Sequence, residues 1–157
     1  MAEEHSEAEA EIFSRVKGYL KRLDLLYFTS EEDRSFSVPY RYPPDAGKIH
    51  AIVIAPIGEW LYMICNIVRS QEIPLFGDKM KVLEALLRNS LYTAGASYAL
   101  NKSGDIVVYT EIHKDNLSYE QFKMHLAAVV HGIKKFFDKI APSAAEQSEK
   151  SENLMYL

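Results

Sequence analysis

Apolar positions along the chain recur first three and four apart, then two apart, and these changes of period divide it into elements. Ile12, Phe13, Val16, Tyr19, Leu20, Leu23, Leu26 and Tyr27 follow the first spacing, which predicts an amphipathic helix with one buried stripe. The polar run 29–33 ends it. Phe36, Val38, Tyr40 and Tyr42 then alternate with Ser37, Pro39 and Arg41, the period of a half-buried strand. Pro39 cannot donate to a ladder, so this strand is expected at an edge or a bulge. Residues 43–47 read PPDAG, a turn by composition.

Residues 49–57 and 60–68 flank Gly58-Glu59 and predict a hairpin. Both of its strands are apolar on both faces. In the second, Trp60, Tyr62, Ile64 and Val68 are expected to point one way, and Leu61, Met63, Cys65 and Ile67 the other. A solvated antiparallel sheet would be polar on one side. This hairpin therefore has to be covered twice, once by helices of its own chain and once by a further element or another subunit.

A loop at 69–77 carries Pro74 and Gly77, and Asp78 reads as an N-cap. Over 79–93 the positions Met80, Val82, Leu83, Ala85, Leu86, Leu87, Leu91 and Tyr92 spread over more than one helix face, which predicts burial on two sides. Gly95 ends this helix. Residues 97–100 and 106–113 predict a second hairpin, turning at 102–105. Ser118 with Gln121 fits a capping box for a last helix. Its stripe is Phe122, Leu126, Val129, Ile133, Phe136 or Phe137, and Ile140, and Pro142 is expected to stop it. The predicted order is α-βββ-α-ββ-α, an α+β fold with an antiparallel sheet packed by helices. Residues 12–142 form one domain, 1–11 an acidic N-terminal extension and 143–157 a polar tail. The tail is expected to be mobile over 143–153 and to end in an apolar segment, Leu154, Met155, Tyr156 and Leu157. Docking of that segment on its own dimer or on a partner is one reading of these apolar residues, and an uninformative frayed end is the other.

A chain of 157 residues with 48% apolar and 25% charged residues buries a core without staples. Its one cysteine, Cys65, allows no intrachain disulfide and fits a reducing, cytoplasmic setting. The opening run MAEEHSEAEAE has no apolar stretch and no basic flank, so no secretory leader is expected. The apolar runs are too short to span a bilayer, which argues against a membrane role. The net charge of −4 is uneven: residues 1–11 hold five glutamates and no Lys or Arg, and 143–157 hold three glutamates and one lysine. Residues 12–142 keep 17 basic and 14 acidic side chains, a net of +3. That is too dilute for nucleic acid, which calls for a concentrated basic patch. Lys134, Lys135 and Lys139 sit at a predicted helix C-terminus, where cations complement the dipole.

Catalytic patterns are absent. His5, His50, His113, His125 and His131 show no metal-ligand spacing, so no metal is expected. Cys65 falls within an apolar strand and reads as an inert core thiol. No GxSxG or Walker-type loop occurs. His113 and Asp115 are neighbours without a nucleophile and read as strand-end polar residues. The best candidates for function are aromatic: Phe36, Tyr40, Tyr42, Trp60 and Tyr62 are expected to bind a partner, because Tyr and Trp combine apolar area with a polar tip. The bland reading is that they only pack the sheet. The strand holding Phe36 and Tyr42 could also accept a peptide by strand addition. Leu83, Leu87 and Leu91 are expected at a homodimer interface, since a monomer would expose more apolar surface than soluble monomers tolerate.

The run LLRNSL at 86–91, a short strand holding Tyr98, Ala99 and Leu100, the Gly104-Asp105 turn, an apolar strand and the Leu117-Ser118 opening of the last helix together form a pattern. With the element order, it resembles the type III secretion chaperone-like fold, including its YbjN-type relatives, best over 78–140 and more loosely over 12–70. The resemblance implies a homodimer that binds segments of other proteins without catalysis and without a cofactor. The expected function is a non-catalytic, chaperone-like protein-binding module. The alternative from another class is a small-ligand binder or enzyme with a cleft built from Tyr, His and Asp residues.

Overall fold

The computed structural model describes the backbone of residues 2–44 and 48–155 and the side chains of 6–44, 48–150 and 152. Helix α1 (Ala2–Leu23) is followed by β1 (Phe28–Ser30), β2 (Ser35–Arg41), β3 (Ile49–Ile57) and β4 (Trp60–Val68). A 3-10 segment, Ser70–Phe76, leads into α2 (Lys79–Ser90), then β5 (Ser97–Leu100), β6 (Ile106–His113), α3 (Tyr119–Lys135) and α4 (Ala141–Met155). The strands form one antiparallel sheet in the order β1-β2-β3-β4-β6-β5. The predicted α+β architecture and its antiparallel sheet are present. The 43–47 turn lies partly outside the described residues, as does any docking by Leu154, Met155, Tyr156 and Leu157.

All the helices lie on one face of the sheet, with α1 over β3 and α3 over β4 and β6. The alternation predicted from sequence sends Phe36, Val38, Ile52, Ile54, Leu61, Met63, Cys65, Val108 and Ile112 into this layer, all buried. They meet Ile12, Val16 and Leu20 of α1 and Phe122, Leu126, Val129 and Ile133 of α3. Phe13 stacks on Phe36 with ring centroids 4.6 Å apart. Asp78 caps α2 by accepting the Lys81 N–H at 3.2 Å, and Ser118 caps α3 by accepting the Gln121 N–H at 3.1 Å. Among the described residues, no buried side-chain nitrogen or oxygen lacks a hydrogen-bond partner.

Three expectations need correction. The first helix stops at Leu23, not Tyr27, because Asp24 takes the left-handed conformation at φ 54°. The freed residues lead into β1, which at three residues is too short to show a period. Pro142 does not stop the last helix: a π-helical turn, Phe136–Ile140, carries α3 into α4. The Ala141 N–H bonds back to the Phe136 carbonyl, and Pro142 falls in the first turn of α4, where a missing N–H costs little. Residues 143–153 are therefore helical, not a loose linker. Ser148 Oγ accepts the Asp78 N–H and donates to the Ala144 carbonyl, each at 2.9 Å, seating α4 on the start of α2.

Helix α3 comes close to the sheet at Gly132. A Cβ there would lie 2.6 Å from Val108 Cγ2, while the Gly132 carbonyl accepts the Tyr98 hydroxyl at 2.8 Å. Gly132→Ala is expected to lower stability by about 1–3 kcal/mol through overpacking, read as a lower urea midpoint.

Candidate protein-interaction surface

The other face of the sheet has no helix over it. Strand register sets its composition, because paired residues share a face. The longest row across it runs Phe28, Ser37, Val53, Ile64, Tyr109 and Ser97. Neighbouring rows carry Ala55, Tyr62 and Glu111, then Ile57, Trp60 and His113. Arg41 and Ile49 face out at the opposite end. Phe28, Ile49, Val53, Ile57, Trp60 and Ile64 are between 36% and 62% exposed. Contiguous apolar area of this kind marks an interaction surface in a soluble chain. Charged groups stand at its margin: Glu59 pairs with Lys114 at 2.7 Å and with His113 at 3.5 Å, and the His113 ring meets Trp60 edge-on at 4.9 Å.

The aromatic set singled out from sequence is divided by the sheet. Trp60 and Tyr62 lie on the open face. Phe36 is buried beneath the helices, so it is core rather than a partner contact. Tyr40 and Tyr42 also point to the helix side, half-buried and stacked on each other, with the Tyr42 hydroxyl bonded to Asp138. That acceptor pushes the Tyr42 phenol up to about 12. Val68, expected beside Trp60, is buried with the core. A bulge between Asn66 and Val68 inserts one residue and turns Val68 to the other side. The apolar members Phe28, Ile49, Val53 and Ile57 were not singled out as site residues. For Ile49, Val53 and Ile57 the signal was the lack of polar alternation in 49–57; Phe28, in a three-residue strand, had none.

A second exposed apolar area lies on α2. Leu87 and Leu91 are 74% and 79% exposed, Tyr92 is also exposed and Leu83 is half-buried. Beside them Leu83, Leu86, Leu87, Tyr98, Ala99 and Leu100 line a shallow cavity of about 140 Å³ against the β5 edge.

Burial pushes the Cys65 thiol up to about 12. Among the described residues no group of His, Cys, Asp and Glu could hold a metal ion, and no helix is long and apolar enough to cross a membrane. His125 borders a cavity of about 470 Å³, but the walls are Ala94, Gly95, Ala127 and Ala128 with Met124 and His131. The Tyr, His and Asp cleft of the alternative reading is not assembled there.

Two histidines couple stability to pH. His50 is buried with Nε2 2.7 Å from the Tyr42 carbonyl, and His125 Nδ1 lies 2.7 Å from the Thr110 hydroxyl. Burial holds both rings below their ordinary value of 6.5. The unfolded chain then binds protons first, so their contribution is complete above pH 6.5 and is lost as pH falls through the lower folded values. The urea midpoint is expected to fall between pH 7.5 and 5.5. Glu59, Glu72 and Asp105, held low by hydrogen bonds, add their loss only in more acid solution.

The helix-backed antiparallel sheet with one bare face is the type III secretion chaperone-like fold. Its likenesses are found in solved structures; no family model and no curated protein sequence matches the chain. The ExsC–ExsE complex aligns with a TM-score of 0.62 at 13% identity, over 84% of this chain and 95% of the matched one. YbjN from E. coli aligns with a TM-score of 0.60 at 14% identity, over 86% and 92%. The Yersinia pestis type III secretion chaperone SycH, solved in complex with a stable fragment of YscM2, gives 0.54 at 19% identity, over 76% and 94%. At these identities the likeness is one of fold.

Proposed function

We propose that this chain is a non-catalytic, chaperone-like protein-binding module that works as a homodimer in the cytoplasm. The observation that carries the reading is the open sheet face, with Phe28, Val53, Ile57, Trp60 and Ile64 exposed and Glu111 beside Tyr62. A segment of another protein with its own apolar side chains would cover it. Trp60 and Tyr62 supply the aromatic contacts, and β1, a short edge strand, offers free main-chain groups beside Phe28. The likeness to chaperones solved in complex with other proteins supports this reading. The test is capture of a protein by the tagged chain that is lost when the open face alone is altered.

Leu83, Leu87 and Leu91 are assigned to the dimer contact, with Tyr92 and Leu100 beside them. Light scattering is expected to give twice the chain mass for the wild type. Leu87→Glu with Leu91→Glu is expected to give a folded monomer, because two carboxylates cannot be buried unpaired against a second copy. A wild-type monomer at micromolar concentration would refute the dimer.

A further inference from the structure

One feature of the sheet touches the open apolar face only at Ile49 and lies apart from the α2 surface. Strand β3 begins at Ile49 and β4 continues to Val68, yet their ladder ends at Ile52↔Cys65. The bulge between Asn66 and Val68 lies where this pairing stops, and a bulge bends its strand away from regular pairing. On its other side β3 stays paired, with Tyr40 opposite His50 and Arg41 opposite Ile49. The two central strands therefore part as a wedge inside the sheet.

The wedge has a definite hydrogen-bonding character. The Tyr42 N–H donates to the Lys48 carbonyl at 3.2 Å, which sets the phase of the β2–β3 ladder. Main-chain groups of Lys48, His50 and Ile52 face β2, and those of Ile49 face the gap, where β4 has left. The gap is a cavity of about 410 Å³ bordered by Lys48, Ile49, His50, Asn66, Arg69 and Glu72. That volume falls within the range of ligand pockets. Lys48 lies 3.5 Å from Glu72, whose carboxylate also accepts the Arg69 N–H at 3.1 Å. Among the described residues Arg69 forms no ion pair within 4 Å, while the nearby Asp105 carboxylate accepts the Asn66 side-chain amide and the Ser70 N–H, each at 2.8 Å. The His50 Nε2 faces a carbonyl, which only accepts, so it carries the proton.

An inorganic oxyanion would answer Arg69 but not the strand edge. An uncharged peptide would answer the strand edge but not Arg69. We propose that the β3–β4 wedge binds an extended peptide segment bearing a carboxylate, its main chain on the Ile49 edge and its carboxylate on Arg69 and Lys48. The site uses the main chain of Ile49 but not the central open-face residues Val53, Trp60 and Ile64, so either surface can fail alone.

The probe is an N-acetylated hexapeptide of alternating valine and glutamate, titrated into the full-length ¹⁵N-labelled chain, with a valine–lysine hexapeptide and succinate as comparisons. Amide shifts are expected at Ile49, Ala51, Asn66 and Arg69 and not at Val53 or Ile64. Arg69→Gln is expected to weaken binding several-fold and Arg69→Glu about tenfold or more, with thermal midpoints near wild type as the control for folding. Added salt is expected to weaken it further. The proposal is overturned by no shift at millimolar peptide, by shifts confined to the open face, by equal binding of the lysine peptide, by indifference to Arg69→Glu, or by succinate binding as tightly as the peptide.

Discussion

Phe122→Ala is expected to lower the unfolding free energy by about 3–5 kcal/mol, as for truncation of a fully buried phenylalanine. The ring has no exposure and lies 5.5 Å from that of Tyr19, so it joins α3 to α1 over the sheet. It also follows directly on the Ser118 cap, which fixes where α3 starts. Neither wall of the resulting cavity can close in. On one side α3 is held at Gly132 against Val108, and on the other Arg15 of α1 donates to the Lys114 and Leu117 carbonyls. A truncation that cannot be relaxed bears both the lost transfer free energy and the void. Urea denaturation of the two proteins measures it. A midpoint equal to wild type would mean that the apolar stripe of α3 does not face the core.

The second large effect is on binding. Val53→Glu combined with Ile64→Glu is expected to reduce partner recovery at least ~100-fold, about 2.8 kcal/mol, while the urea midpoint moves little. Val53 and Ile64 are direct cross-strand partners in the middle of the open row. In the isolated chain each is more than a third exposed, so a carboxylate there reaches water at small cost. Under a bound segment both charges would be buried without partners, which costs several kcal/mol. Capture by tagged wild type and double variant, with light scattering on each, separates loss of the partner from loss of the dimer. Recovery unchanged by the double variant would remove the open face from the function. Recovery lost together with the dimer would place the partner across both copies.

The sequence by itself determined most elements and their order, because each rests on local chemistry; it missed β1, too short to show a period, and the helix that continues past Pro142. Alternation in 36–42, 49–57 and 60–68 is decided by which side chains can share a pleat, and Asp78 and Ser118 cap the helices predicted after them. The apolar character of both faces of 49–68 led to the expectation that this hairpin is covered twice. Tertiary structure alone decided which cover its own chain provides. Phe36 and Trp60 look alike as strand aromatics, but placing all the helices on one side buries Phe36 and leaves Trp60 in the open. The bulge at Asn66–Val68 has no local signature, and by one extra residue it moves Val68 into the core, where the wedge beside Ile49 begins. Pro142 is the converse case. Locally it reads as a helix stop, but the π-helical turn before it places it where no N–H is needed, and the seat of Ser148 on Asp78 holds the helix that follows. What lay outside the sequence's reach was long-range: a face is exposed or covered only relative to elements far away along the chain.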